Sequence, residues 1–200
     1  PFLVTASHTY GFGTFPTTTV IRSRAGTQAA VGGVANVSAA ALSRFGPSSV
    51  ATTEGQSFNA VVGRFTSANP NAVASDFAAT VDWGDGTATS AGTIVKLADG
   101  SYQVIAGHAY DAFSGVDPYD VSVSVVSGSG GSITLASTAV VADAPIQASP
   151  LPLHAVEGTA SILRPASFID SNPLAAPSDF SVTIDWGDAT TSTGNAVTVT

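Results

Sequence analysis

Matching residues recur along this chain at a separation of about 100 positions. The clearest match is an Asp-Trp-Gly-Asp stretch that begins at Asp82 and again, 103 residues later, at Asp185. Because one offset links matches spread over much of the chain, the sequence predicts repeats of about 100 residues, each large enough to bury its own core. The matches at this offset are Glu54-Gly55 with Glu157-Gly158, Asn69-Pro70 with Asn172-Pro173, Ser75-Asp76-Phe77 with Ser178-Asp179-Phe180, and Asp82–Asp85 with Asp185–Asp188.

The matches divide the chain into three pieces. Residues 1–45 are predicted to be the C-terminal half of one repeat, residues 46–148 a complete repeat, and residues 149–200 the N-terminal half of a third. A second set of matches, at an offset of 100, supports this division. In that set, Phe2, Val4, Ala6, His8 and Tyr10 correspond to Tyr102, Val104, Ala106, His108 and Tyr110.

Apolar and polar residues alternate along much of the central piece. Residues 77–83 and 119–125 each place their apolar side chains at every second position, which predicts half-buried strands. Asp85-Gly86 and Asp99-Gly100 are typical of the tight turns between strands. Several short strands per repeat, separated by such turns, favour an antiparallel sandwich. The predicted fold class is all-β, with tandem antiparallel β-sandwich repeats of about 100 residues.

The composition excludes several classes of protein. Six basic and fourteen acidic residues give a net charge of −8, whereas binding to nucleic acid requires a basic surface. The chain has no cysteine, which excludes disulfides, thiol catalysis and cysteine-based zinc sites. No apolar run is long enough to cross a bilayer. We therefore expect no nucleic-acid partner and no membrane span in this segment.

Three short motifs of the central piece carry a family resemblance. They are Asp-Trp-Gly-Asp-Gly-Thr at residues 82–87, Gly-His-Ala-Tyr at residues 107–110 and Tyr-Asp-Val-Ser-Val at residues 119–123. Together they resemble a PKD-type immunoglobulin-like repeat, and the flanking pieces carry their own shares of the pattern. The third piece departs from it at Ala189, where the turn expects glycine. The resemblance implies a β-sandwich module of large bacterial surface or secreted proteins, where such modules occur in tandem as spacers, stalks or adhesive segments.

The motif residues also have a structural interpretation of their own. Trp83 and Trp186 are the only tryptophans, and each continues an inward-facing apolar row, so we expect each to anchor a core. Aspartates commonly stabilise the turns that follow such strands. The alternative is a platform on which a ligand stacks. The predicted structural motif comprises Asp82, Trp83, Gly84, Asp85, His108, Tyr110 and Trp186.

The three histidines are the best catalytic candidates in the chain. His8 and His108 occupy equivalent positions in successive repeats, which favours a role in a core or turn, and His154 has no histidine counterpart. The sequence contains no nucleophile elbow, no phosphate-binding loop and no zinc-binding His-Glu-x-x-His motif. We therefore predict a non-enzymatic protein, without catalytic residues or a cofactor.

Calcium is the leading ligand hypothesis. Oxygen ligands gathered from a turn suit Ca²⁺, although Asp and Asn are also common turn residues in their own right. The central piece has Asn69, Asp76, Asp82 and Asp85 at matching positions, with Ser67 in place of Asp170. The predicted ligands, all in the third piece, are Asp170, Asn172, Asp179 and Asp185.

Two functions remain open from the sequence. The first is a non-catalytic structural or adhesive repeat module of an extracellular bacterial surface protein or fibre, whose partners are neighbouring copies of itself in a linear array or filament. Residues 149–200 and 1–45 together make about one repeat, so such an array could assemble head to tail by completing half-domains. The second is an accessory module of a secreted enzyme that binds a surface glycan or protein. An exposed row of aromatic residues would favour the second.

Overall fold

The computed structural model describes residues 1–194 and 198–200 of the chain. Strands account for 48% of the chain and helical residues for 4%, which confirms the predicted all-β class. Two single-turn 3₁₀ helices, Ala74–Asp76 and Pro177–Asp179, lie ahead of strand positions in the central and third pieces. Among the residues described, no helix has the length and hydropathy that crossing a membrane requires.

The first piece is a two-stranded hairpin. Strands β1 (Gly13–Arg22) and β2 (Gln28–Val37) pair antiparallel along their whole length. Their apolar side chains are largely exposed, including Val20 and Ile21 of β1. An isolated two-stranded sheet is marginally stable in water, so this hairpin has no core of its own.

Eight strands from the middle of the chain form one curled sheet, called the central sheet below. Their order across it is β3-β5-β8-β7-β6-β9-β10-β4. Strand β7 carries the sheet around the bend, since its first residues pair with β6 and its last residues with β8. The eight strands are β3 (Leu42–Arg44), β4 (Ser49–Thr53), β5 (Phe58–Ser67), β6 (Phe77–Asp82), β7 (Ser90–Lys96), β8 (Tyr102–His108), β9 (Tyr119–Ser127) and β10 (Ser132–Ala142).

The third piece contains two short hairpins. Strand β11 (Ile146–Pro150) pairs with β12 (Ala166–Asp170), and β13 (Thr183–Asp185) pairs with β14 (Thr191–Thr193). Strand β11 begins ahead of the boundary predicted at residue 149. Strand β3 also begins ahead of a predicted boundary, the one at residue 46. It belongs to the central sheet because it pairs with β5.

The hydrophobic core lies inside the curl of the central sheet. Residues on the inner face of β9 alternate with exposed Asp and Ser, as the period-two pattern predicts. The curl brings β5 onto β9 and β10, so that Gly63 faces Leu135 and Val123. The largest fully buried side chains include four aromatic ones, namely Phe65, Trp83, Tyr102 and Tyr110. Burial of this apolar surface is the main force that holds the curl closed.

Candidate functional site

Trp83 lies at the end of β6 and is 1% exposed. Its indole ring stacks on the imidazole of His108, with 4.7 Å between ring centroids. The edge of Phe58 packs against it at 5.6 Å. Its Nε1–H donates a hydrogen bond of 2.8 Å to Ser90 Oγ at the start of β7. The indole therefore contacts strands from both halves of the curl.

Asp85 and His108 form the main polar link beside this tryptophan. His108 Nε2 lies 2.7 Å from Asp85 Oδ2, and both side chains are largely buried. Burial raises the pKa of Asp85, but hydrogen bonds from Thr87 and His108 outweigh it and leave the pKa below its usual value. Since Asp85 follows β6 and His108 ends β8, the pair joins the two halves of the curl.

Tyr110 packs against both Trp83 and His108 and completes the cluster. It is fully buried, its hydroxyl donates to the main-chain oxygen of Trp83 at 3.1 Å, and its ring stacks on Tyr119 at 4.6 Å. Burial raises the pKa of the Tyr110 hydroxyl strongly, and the Asp85 carboxylate adds to this. The phenol therefore stays protonated and remains a hydrogen-bond donor at neutral pH.

Acidification should weaken the link between Asp85 and His108. Because the pKa of Asp85 is lowered in the folded protein, its stabilising contribution is complete above the unfolded-state pKa of about 4. The contribution is lost as the pH falls through the folded-state value. We expect the free energy of unfolding, measured by urea titration from about pH 5 to about pH 2, to fall more steeply in the natural chain than in Asp85→Asn. Parallel profiles for the two proteins would contradict this.

The third piece repeats the local hydrogen bonding of this motif, but its tryptophan is not covered by other side chains as Trp83 is. Trp186 Nε1–H donates to Ser192 Oγ at 2.9 Å, and Gly187 N–H donates to Asp185 Oδ1 at 2.9 Å. Trp186 is nevertheless 37% exposed. Residues 155–200 contain no histidine or tyrosine, the residue types that cover Trp83 from β8 and the loop after it.

The turn after Trp186 keeps its shape despite the departure from the motif. Ala189 adopts a left-handed φ of 72°, close to the 80° of its counterpart Gly86. Thr190 donates to Asp188 Oδ1 from its amide, as Thr87 does to Asp85. Alanine in this conformation costs about 1–2 kcal/mol, yet the turn keeps both hydrogen bonds from Thr190 to Asp188.

The four predicted calcium ligands each accept a hydrogen bond within a local turn. Asp170 accepts from Asn172 N, Asn172 from Leu174 N, Asp179 from Ala176 N and Asp185 from Gly187 N. Within residues 1–194 and 198–200, no three histidine, aspartate or glutamate side chains gather closely enough to hold a metal ion. Calcium binding therefore stays a prediction, which titration with Ca²⁺ monitored through the amide signals of these turns can test.

The other two histidine candidates lie apart from the cluster around Trp83. The sequence analysis also missed the structural role of Glu54. His8 and His154 lie exposed on the surface, in the first and third pieces. Glu54 is buried at the end of β4 and accepts a hydrogen bond from Ala144 N at 3.1 Å. Its recurrence as Glu157 was visible in the sequence, but a partner 90 residues away was not.

Comparison of the chain with protein-family models finds no match, and comparison with curated protein sequences finds none.

In the described part of the chain, every buried side-chain nitrogen and oxygen has a hydrogen-bond partner. Groups engaged in this way stabilise a fold. The arrangement around Trp83 is suited to fastening one half of the curled sheet to the other.

Proposed function

We propose that the chain is part of a tandem array of β-sandwich repeats, here called units, that transmits tension. On this proposal it is a non-catalytic structural or adhesive module of an extracellular bacterial surface protein or fibre. The resemblance to PKD-type repeats supports the placement at the cell surface. One observation carries the mechanical role: β4 and β10, near the two ends of the central unit, pair with each other in parallel.

Parallel pairing of these two strands determines how a pulling force acts. The register runs from Ser49 opposite Thr138 to Thr53 opposite Ala142. Tension along an array first reaches β3, whose ladder with β5 is only three residues long, and then pulls β4 from its N-terminal end and β10 from its C-terminal end. Because the strands run in the same direction, they are drawn past each other lengthwise, and the hydrogen bonds between them are loaded together. A pair pulled apart from one end would lose its bonds one at a time.

Two further hydrogen bonds, one from a side chain and one from the main chain, add to the connection between these strands. Ser137 Oγ, in β10, donates to the main-chain oxygen of Ser48 at 3.0 Å, just before β4. At the other end of the ladder, Glu54 N–H donates to the oxygen of Ala142 at 3.0 Å. Both ends of the parallel pair are therefore tied by bonds that the same force must break.

Repetition of local geometry supports a tandem array. In both the central and third pieces an aspartate ends a 3₁₀ turn and accepts a hydrogen bond from the amide three residues earlier. Asp76 accepts from Val73 N at 2.9 Å and Asp179 from Ala176 N at 2.7 Å. Together with the paired Trp–Ser bonds, these contacts favour two copies of one unit.

The exposed apolar faces of the terminal hairpins also fit an array. Each hairpin would be covered by the other half of its own unit, supplied by adjoining chain or by a neighbouring copy joined head to tail. Such pairing removes apolar surface from water and completes a core that a hairpin lacks. The exposed residues include Val20, Ile21, Val31, Val34 and Ile169.

The orientation of the aromatic residues favours this role over ligand binding. A glycan-binding module presents aromatic rings on an exposed sheet face. The large rings on the strands of the central sheet instead lie in the core or half-buried against it, and the exposed Phe45 and Phe113 lie in loops. Saturable binding of the chain to a glycan array would favour the accessory-module alternative.

Pulling the full chain from its two ends tests the mechanical role. We expect one strong unfolding event that releases about 350 Å, the extended length of the 101 residues from Leu42 to Ala142 that form the central sheet. Because the chain has no cysteine, a single Ser132→Cys variant provides an alternative attachment at the start of β10. Pulling between the N-terminus and that cysteine peels β10 from β4, and the unfolding force should fall several-fold. Equal forces in the two geometries would count against the proposal.

A further inference from the structure

We propose that a loop of each unit docks onto the end of the preceding unit and fixes the angle between the two. The docking loop is residues 170–173. The end face that receives it comprises Glu54, Gly55, Asp111 and the linker of residues 143–145. The inference rests on the proposed tandem array and adds the contact that makes the array stiff. Without such a contact, motion between neighbouring domains is the ordinary expectation.

Asn172 is the centre of the docking loop. It is 6% exposed, and its Nδ2 donates a hydrogen bond of 2.9 Å to the main-chain oxygen of Asp111. Its Oδ1 accepts from Leu174 N at 2.9 Å. Both ends of the side-chain amide are thus used, one within the loop and one on the central unit. A buried amide satisfied in this way specifies one orientation of the loop.

Gly55 allows the loop to approach this closely. A Cβ at position 55 would overlap Asn172 Oδ1 and lie 2.6 Å from Pro173 Cδ. The residue has a left-handed φ of 70°, and its N–H donates to the oxygen of Tyr110 at 2.7 Å. The conformation therefore favours glycine here, and the close approach of the neighbouring unit requires it.

The linker between the units is held from both sides. Only residues 143–145 separate β10 from β11. Ala144 is buried, and its N–H donates to the Glu54 carboxylate at 3.1 Å. On the other side, Ser171 N–H donates to the oxygen of Pro145 at 3.2 Å. The preceding and the following unit therefore each fasten one end of this short linker.

The equivalent loops also face each other at the junction between the first and central pieces. Residues 67–70, the counterpart of the docking loop, line a cavity of about 560 Å³ together with residues 9–12. Asn69 is exposed there, whereas its counterpart Asn172 is buried. The centre of the docking loop is therefore buried at the junction between the central and third pieces, whereas its counterpart lies exposed at the open junction between the first and central pieces.

A pair of glycine variants isolates the contact from backbone strain. Gly55→Ala introduces a side chain into the docking loop. Gly158→Ala is the matched control, because Gly158 is the repeat counterpart with φ 72° and no atom lies within 4 Å of a Cβ placed there. Both variants carry the same left-handed strain. Only the first changes the contact between units.

Distances between two spin labels measure the angle. Because the natural chain has no cysteine, cysteines replacing the exposed Ser124 and Ser167 label the central unit and β12 specifically. We expect one narrow distance distribution in the natural chain and in Gly158→Ala. In Gly55→Ala the width should at least double. Asn172→Ala should broaden the distribution, whereas Asn69→Ala, at the open junction, should leave it narrow.

The outcomes separate this inference from the proposed function. A broad distribution in the natural chain, or equal widths in Gly55→Ala and Gly158→Ala, would overturn the docking contact. If Gly55→Ala no longer shows the circular dichroism of a folded sheet, the comparison of Asn172→Ala with Asn69→Ala tests the docking contact instead. Both asparagines lie in loops, so these variants should leave the sheet folded. A narrow distribution in a chain that unfolds at low force would leave the contact in place and remove the mechanical role.

Discussion

Replacing Trp83 with alanine should lower the free energy of unfolding of the central sheet by about 3–5 kcal/mol. The side chain is 1% exposed, so its removal leaves a large cavity between β6, β5 and β8. His108 loses the ring on which it stacks, and Ser90 loses its hydrogen-bond donor. Single domains are stable by only about 5–15 kcal/mol. We therefore expect the variant to be partly or wholly unfolded at 37 °C, as measured by urea titration followed through the amide signals of β9.

Trp186→Ala is the matched control for this effect. The two tryptophans share the Asp-Trp-Gly-Asp motif and the same type of indole–serine hydrogen bond. Trp186 is 37% exposed and lacks the covering His and Tyr, so its removal from this chain should cost about 1 kcal/mol or less. If both variants lose the same stability, the cluster around Trp83 is not the fastening between the two halves of the curl.

Local sequence pattern was sufficient for the strands and turns because both depend on near neighbours. The alternation at residues 77–83 predicted which side chains of β6 face the core, and the exposures agree. The left-handed turn at Asp85-Gly86 also followed from residue type. Strand period and turn conformation are set by sterics and hydrogen bonds within a few residues.

Contacts between distant residues were beyond the sequence. Nothing local indicated that β4 and β10 pair in parallel, or that Asn172 reaches Asp111, 61 residues away. Asn172 was instead assigned to a calcium site because asparagine and aspartate serve turns, junctions and metal ions with the same oxygen atoms. Glu54 and Gly55 were seen to recur, but the hydrogen bond from Ala144 N to Glu54 and the close approach of Asn172 to Gly55 could not be read from the recurrence.

Gly84→Ala should destabilise the central sheet by about 3 kcal/mol or more, through a clash that no rotamer can relieve. Gly84 has a φ of 76°, where any L-residue is strained by about 1–2 kcal/mol. A Cβ would also overlap the main-chain oxygen of Asp120 and lie 3.1 Å from its carbonyl carbon. Asp120 belongs to β9, which pairs with β6 on one side and β10 on the other. Its backbone can therefore move only by breaking ladder hydrogen bonds. The measurement is the urea titration used for Trp83.

Gly86→Ala, two residues along the same turn, separates the clash from the strain. Its φ is 80°, and no atom lies within 4 Å of a Cβ placed there. We expect a cost of about 1–2 kcal/mol from the left-handed φ alone, consistent with the alanine found at the counterpart position 189. The difference between the two variants measures how tightly the turn after Trp83 is pressed onto β9. Since β9 pairs directly with β10, which forms the parallel pair with β4, Gly84→Ala should also lower the force at which the chain unfolds. Gly86→Ala should leave that force nearly unchanged. If Gly84→Ala costs no more than Gly86→Ala, the turn does not rest on β9 as described.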